Sequence, residues 1–132
     1  MKRFLFFSLL SLLLAACQDK GRVVEPKEGP AHLALAEHEY DYGLVKNRTD
    51  VLTHEFRFVN DGSEKLVITD VNPLCHCLKV DYSKEPIKPG HAGMIKVMLN
   101  VADLTTGFFS RSVDISTNRN HERISVKGKV AQ

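Results

Sequence analysis

From residue 32 onward, hydrophobic and polar residues alternate along the chain. In the first clear run, His54, Phe56 and Phe58 share one face with Leu52. Alternation over about four to eight residues is typical of half-buried strands, and no segment shows a sustained helical period. The pattern therefore predicts an all-β domain, with its clearest strands at 52–58, 95–101, 113–115 and 124–130.

Turn-forming residues separate these runs at short intervals. Asn60-Asp61-Gly62 follows the first run, Pro89-Gly90 precedes the run at 95, and Asn118-Arg119-Asn120 separates the last two. We expect Gly62 and Gly90 to take a positive φ, which glycine accepts easily. About seven short strands with such turns predict an immunoglobulin-like sandwich of two antiparallel sheets over residues 32–131. Because tryptophan is absent, the core must consist of Phe, Leu, Ile and Val.

The first sixteen residues have the pattern of an export signal. Lys2 and Arg3 are followed by the apolar run 4–16, which only two serines interrupt. Thirteen helical residues reach about 20 Å, whereas the hydrocarbon core of a bilayer is about 30 Å thick. The run is too short to span a membrane, so we interpret residues 1–16 as a secretory signal peptide.

The segment after this run carries a possible lipid anchor. Leu14-Ala15-Ala16-Cys17 resembles a bacterial lipobox, which implies that Cys17 is acylated and becomes the first mature residue. Several acyl chains on one residue would hold the protein stably on a membrane. We expect 17–31, which is rich in Gly and Pro, to be a flexible tether. Gln18 occupies the position where an aspartate can act as an inner-membrane retention signal in some bacteria, so that signal is absent and we expect the outer membrane rather than the inner. We expect the domain to lie in the periplasm or at the cell surface.

Charge gives no sign of a nucleic-acid partner. The chain has 18 basic and 16 acidic residues, and removal of Lys2 and Arg3 with the signal leaves 16 of each. A neutral domain lacks the excess of cations that binds phosphate backbones. The expected partners are the membrane, through the acyl group, and another protein of the cell envelope.

Cys75-His76-Cys77 is the one cluster with possible chemistry. With Cys17 acylated, two cysteines remain in an oxidising compartment, where they can form a disulfide. Residues i and i+2 of a strand lie about 6.7 Å apart, at the upper limit for a disulfide, so the bond requires a bend. The cysteines are therefore a structural pair, bridged or packed, or a reducible redox pair.

A metal site is a third interpretation of the same residues. Two thiolates and the His76 imidazole suit a soft ion such as Cu(I). A tetrahedral zinc site needs more ligands than Cys75, Cys77 and His76 supply. His91 could complete the set only if two loops converge, so we predict no resident metal or cofactor.

Other candidate residues have structural explanations. His54 shares the Phe56 and Phe58 face, so we expect a satisfied histidine at the core or its edge and core packing for both phenylalanines. Phe108 and Phe109 point to opposite faces, so one of them is exposed and either forms a contact patch or covers a seam at an edge strand. Glu37, Glu39 and Asp41 alternate along one strand, which is typical of a solvated edge that resists aggregation.

Several segments, in order, resemble a bacterial lipoprotein family, the domain of unknown function numbered 1573. The resemblance covers nearly all of 33–130 and implies an immunoglobulin-like fold of the Hydin and PapD type. The chain departs from the usual Cys-Gly-Cys-Thr motif because His76 replaces Gly and Leu78 replaces Thr. The segments are Tyr40-Asp41-Tyr42-Gly43, 56–62, Leu66-Val67-Ile68, Cys75-His76-Cys77, 87–97, 107–118 and 126–130.

The sequence contains no Gly-x-Ser-x-Gly, His-Glu-x-x-His or phosphate-binding glycine loop, so we expect no enzymatic activity. The preferred interpretation is a membrane-anchored lipoprotein that binds or scaffolds other components of the cell envelope. The alternative is a redox or copper-handling lipoprotein that uses the Cys75-His76-Cys77 loop.

Overall fold

A computed structural model describes residues 27–132, and it confirms the all-β sandwich. Eight strands are present where about seven were expected, together with one 3₁₀ turn at Val101–Asp103. Within the described residues, no helix has the length and apolar character needed to cross a membrane. The strands are β1 (Leu33–Leu35), β2 (Glu39–Val45), β3 (Val51–Asn60), β4 (Ile68–Pro73), β5 (Leu78–Tyr82), β6 (Ala92–Asn100), β7 (Gly107–Thr117) and β8 (His121–Val130).

The strands form two four-stranded sheets. Sheet one has the order β1-β3-β6-β5, and sheet two has the order β2-β8-β7-β4. All neighbours are antiparallel except β2 and β8, which run parallel. These two strands come from opposite ends of the domain and no hairpin joins them, so nothing forces them to be antiparallel. This pair is the one departure from the predicted antiparallel arrangement.

The core lies between the sheets and consists of the apolar residues that the alternation selected. Phe56 and Phe58 of β3 are 0% and 1% exposed, which confirms them as core residues. Each such side chain stabilises the fold by about 1.5–3 kcal/mol relative to an exposed position. The other apolar side chains that are at most 1% exposed are Leu33, Leu66, Ile95, Val97, Leu99, Val101, Val113, Ile115, Ile124, Val126 and Val130.

Asn60 is a buried hydrogen-bonding residue and not merely part of a turn. It ends β3 and is 0% exposed. Its Nδ2 donates to the carbonyl oxygens of Glu64 (2.7 Å) and Ile87 (2.9 Å). Its Oδ1 accepts the backbone N–H groups of Gly62 (3.1 Å) and His32 (3.3 Å). This one amide therefore connects the start of β1, the β3–β4 connection and the segment before β6.

Gly62 does not take the positive φ that its position after Asp61 predicted. The described glycines with positive φ are Gly29, Gly43, Gly90 and Gly107, so the prediction holds for Gly90 (φ 75°) and is wrong for Gly62. A Cβ atom at Gly62 would lie 2.0 Å from the carbonyl oxygen of Pro30. Glycine is required there by this close approach of two backbone segments.

The close approach also shows that the packed domain includes the first described residues. Ala31 is 2% exposed, and the backbone N–H of Lys27 donates to the carbonyl of Asp61 (2.8 Å). The Gly29 carbonyl accepts the backbone N–H of Ser63 (3.0 Å). Residues 27–31, which the sequence assigned to the tether, therefore pack against the end of the sandwich formed by the β3–β4 connection. The predicted signal peptide, Cys17 and the tether up to residue 26 lie outside the described residues.

Candidate functional site

The Cys75-His76-Cys77 loop lies where the chain passes from sheet two to sheet one. The Leu74 N–H donates to the Ser112 carbonyl of β7 (3.0 Å), and the Asn100 N–H of β6 donates to the Cys77 carbonyl (2.9 Å). The Leu78 N–H donates to the Cys75 carbonyl (3.1 Å), which closes a tight turn. The loop is therefore attached by hydrogen bonds to both sheets.

A disulfide joins Cys75 and Cys77, and their Cα atoms are 5.2 Å apart. The turn supplies the bend that an extended strand lacks. Cys77 is 2% exposed whereas Cys75 is half-buried, and the Cys77 N–H donates to the Cys75 Sγ (3.2 Å). His76 lies between them in the chain and is exposed. Cys75 is therefore the more accessible residue of the pair.

The structure does not bring His91 to the cysteine loop. His91 precedes β6, whereas Asn100, which contacts Cys77, ends that strand. Eight residue steps separate Ala92 from Asn100, or about 27 Å at 3.4 Å per step. Within 27–132, no three His, Cys, Asp or Glu side chains converge at metal-binding spacing.

An exposed apolar patch lies on the outer face of sheet two, at the end of the sandwich opposite Gly62. Phe108 is 86% exposed and Leu44 is 56% exposed. We call Leu44, Phe108 and Lys129, with the glycine backbone of Gly43 and Gly128 between them, the Phe108 patch. They line an open groove of about 690 Å³. Phe109 points inward and is 6% exposed, which confirms that the two phenylalanines occupy opposite faces.

The charges around the Phe108 patch are only partly compensated. Lys127 pairs with Glu39, and the pKa of Lys127 is raised first by this hydrogen bond and then by the charge of Glu39. Asp41 also lines the groove and accepts the backbone N–H of Gly43 (2.8 Å). Lys129 lies 5.0 Å from the centre of the Phe108 ring and forms no ion pair with any residue of 27–132.

His54 is satisfied by its neighbours, as predicted. Its ring stacks on Tyr40 of β2, with centroids 3.6 Å apart, and contacts Phe56 edge-on. Its Nε2 is bonded to the Glu37 carboxylate. This contact corrects the prediction that Glu37, Glu39 and Asp41 form one solvated face, because Glu37 precedes β2 and faces a histidine of the other sheet. β2 is nevertheless an edge strand, as expected.

Tyr42 belongs to the same aromatic cluster, where its ring contacts Tyr40 edge-on. Its hydroxyl oxygen is buried without a hydrogen-bond partner among residues 27–132. Burial, and next the charge of Tyr40, raise the pKa of Tyr42 to about 12. Because the folded pKa lies above the unfolded value near 10, the contribution of Tyr42 to stability is complete below about pH 10 and is lost as the pH rises through about 12.

We expect Tyr42→Phe to leave the free energy of unfolding at pH 7 unchanged or slightly higher, because the hydroxyl is desolvated without gaining a bond. In an ultraviolet titration, Tyr42→Phe should remove the tyrosinate signal that develops near pH 12. A loss of stability above about 1 kcal/mol would mean that the hydroxyl has a bonding partner.

The family and the fold agree with this geometry. The family model for a protein of unknown function, DUF1573, matches residues 33–130. No curated protein matches the sequence. A Porphyromonas gingivalis W83 protein of unknown function is similar in structure, with a TM-score of 0.63 and 17% identity over 81% of this chain and 48% of that one. The chain thus spans about half the length of that protein.

The seventh PapD-like domain of human CEP192 has the same fold, with a TM-score of 0.56, 6% identity and coverage of 76% of this chain and 85% of that one. The Vibrio cholerae VesB protease also contains it, with a TM-score of 0.56, 12% identity and coverage of 76% and 32%. These likenesses show a PapD-like sandwich and nothing about activity, because folds of this kind have many functions. By its match over residues 33–130, the chain belongs to the DUF1573 family.

Proposed function

We propose that this protein is a membrane-anchored lipoprotein of the bacterial cell envelope whose sandwich is a non-catalytic binding module. The observation that carries the proposal is the Phe108 patch. A phenylalanine that is 86% exposed contributes little to folding, whereas a partner that covers it would bury an aromatic side chain. Aromatic residues of this kind contribute most of the energy in many protein interfaces.

The position of the patch suits an anchored domain. Residues 27–31 pack at the Asn60–Gly62 end, and the Phe108 patch lies at the opposite end of β7 and β8. Ten residue steps lead from the proposed acylated Cys17 to Lys27, and they reach at most about 35 Å. The anchor would hold one end near the bilayer, which leaves the Phe108 patch directed away from it.

The proposal is tested with a photo-crosslinking amino acid at position 108 of the full chain in cells, and with the same amino acid at Lys79, which is exposed on sheet one. We expect position 108 to capture a defined envelope protein and position 79 not to capture it. Cys17→Ser should move the chain from the membrane to the soluble fraction. Equal capture at both positions, or no change in fractionation, would contradict the proposal.

A second candidate function is thiol–disulfide exchange at Cys75 and Cys77. The favouring observation is the unequal exposure of the two residues, which would direct an incoming thiolate to half-buried Cys75 in preference to buried Cys77. The attack would form a mixed disulfide on Cys75 and release Cys77 as a thiolate. A second external thiolate that attacks the incoming sulfur would release Cys75 as a thiolate and leave the pair reduced, whereas attack of the Cys77 thiolate on the Cys75 Sγ would expel the incoming thiol and restore the disulfide.

Titration of the full chain with reduced and oxidised glutathione, followed by alkylation and mass spectrometry, measures this exchange. Structural disulfides typically have reduction potentials below about −300 mV. A redox role therefore predicts a glutathione adduct on Cys75 and a reduction potential well above that value. Cys75→Ser/Cys77→Ser should leave capture at position 108 unchanged. A bond that resists the glutathione couple would reject the redox role.

A further inference from the structure

The first half of β7 is an open sheet edge beside the Phe108 patch. β4 pairs with β7 only from Val113 to Thr117, and the chain then leaves for sheet one through Leu74. No described strand pairs with Gly107–Arg111 on the side away from β8. At about 3.4 Å per residue, this open segment is about 17 Å long.

The backbone groups of this edge can be placed from their neighbours. The Ser112 carbonyl accepts the Leu74 N–H, and the Ser110 carbonyl accepts the Nη1 of Arg111 (2.8 Å). Both carbonyls therefore point away from β8. β7 and β8 pair without interruption from Gly107 to Ser116, so alternate residues keep the same direction. The N–H groups of Phe108 and Ser110 therefore face the open side.

The charges at this edge are positive. Arg111 and Lys129 form no ion pair within 27–132, whereas Lys127 is neutralised by Glu39. The remaining carboxylate of the groove, Asp41, belongs to β2, and β8 separates it from β7. Two copies of this chain joined through their β7 edges would bring like charges together, which opposes self-pairing. The uncompensated cations favour an acidic occupant.

We propose that a partner protein docks here as an extended acidic segment, which adds a strand to the Gly107–Arg111 edge of β7. This inference rests on the proposed binding function and names the chemistry of the partner. The N–H groups of Phe108 and Ser110 donate to the added strand, and Phe108 packs against one of its apolar side chains. Carboxylates on the other face of the segment pair with Arg111, which lies on the face of β7 opposite Phe108.

The test uses the full acylated chain in detergent micelles and a fluorescent octapeptide of alternating Val and Glu, compared with one of alternating Val and Lys. We expect only the acidic peptide to bind and to slow hydrogen exchange at the amides of Phe108 and Ser110. Arg111→Gln should weaken binding about twofold to fivefold. Phe108→Ala should weaken it at least about tenfold.

Ser110→Pro and Ser110→Ala form a matched pair, because only proline removes the outward N–H. Proline is tolerated at edge positions whose N–H faces solvent. Ser110→Pro should weaken peptide binding about twofold to tenfold, and Ser110→Ala should bind like the wild type. Equal affinities of the two variants, or equal binding of both peptides, would overturn strand addition.

Other occupants give separate outcomes. Concentration-dependent dimerisation that Ser110→Pro abolishes would identify a second copy as the occupant and overturn the proposal. Binding to phosphatidylglycerol vesicles that Phe108→Ala abolishes, without peptide binding, would also overturn it. Capture at position 108 without amide protection by the acidic peptide would reject only the added strand, whereas no capture at position 108 would reject the binding function itself.

Discussion

Asn60→Ala is expected to lower the free energy of unfolding by about 3–5 kcal/mol, because its buried amide makes four hydrogen bonds and each stranded buried partner costs about 1–3 kcal/mol. The loss removes bonds to the backbone of His32, Gly62, Glu64 and Ile87 at once. Chemical denaturation followed by circular dichroism measures it. The same variant should also loosen the contact of residues 27–31 with the β3–β4 connection.

Asn118→Ala is the matched control for this prediction. The Asn118 amide also bonds to the backbone, accepting the Val67 N–H (3.0 Å) and donating to the Lys65 carbonyl (3.1 Å), but it is exposed. Water can replace both bonds, so the expected loss is about 1 kcal/mol or less. Similar losses for the two variants would show that burial of Asn60 does not determine its contribution.

Phe58→Ala is the second large effect, with an expected loss of about 3–5 kcal/mol, the usual range for removing a buried aromatic ring. Phe58 is 1% exposed and lies over Gly93, where an added Cβ would be 2.4 Å from the ring. The backbone of β6 packs directly against the ring and cannot fill the resulting cavity. Thermal and denaturant unfolding of the variant measure the loss.

Phe108→Ala is the control with the same chemical change. Because Phe108 is 86% exposed, its stability should change by at most about 0.5 kcal/mol, although its binding should fall. A destabilisation comparable to that of Phe58→Ala would mean that Phe108 supports the fold and is not reserved for a partner. The two phenylalanines therefore separate folding from recognition.

The sequence predicts the strands well because apolar and polar residues alternate with a period of two. This period places the apolar side chains on one face only when the chain is extended. It selected Phe56, Phe58, Ile95, Val97 and Val126 as one buried set, and the structure confirms them. It also predicted an unequal exposure of Phe108 and Phe109. These features depend on neighbours along the chain, which a single sequence displays.

Features that depend on distant segments were not predictable in this way. Asn60 and Gly62 look like turn residues, and their actual constraints come from Ile87, Pro30 and Ala31. Glu37 looked like part of a solvated face, but its partner, His54, belongs to the other sheet. The open edge of β7 follows from the length of β4, which no local pattern encodes. In each case, a contact with a segment distant in the sequence determines the structural role of the residue.

The parallel pairing of β2 with β8 has a consequence for the order of folding. β8, the last described strand, lies between β2 and β7 and pairs with both, so β2 joins the sheet only through β8. Sheet two therefore cannot assemble during synthesis until the segment up to Val130 has left the ribosome. In the export that we propose, this half of the chain would enter the secretion channel unfolded, and the delay would keep it competent for translocation.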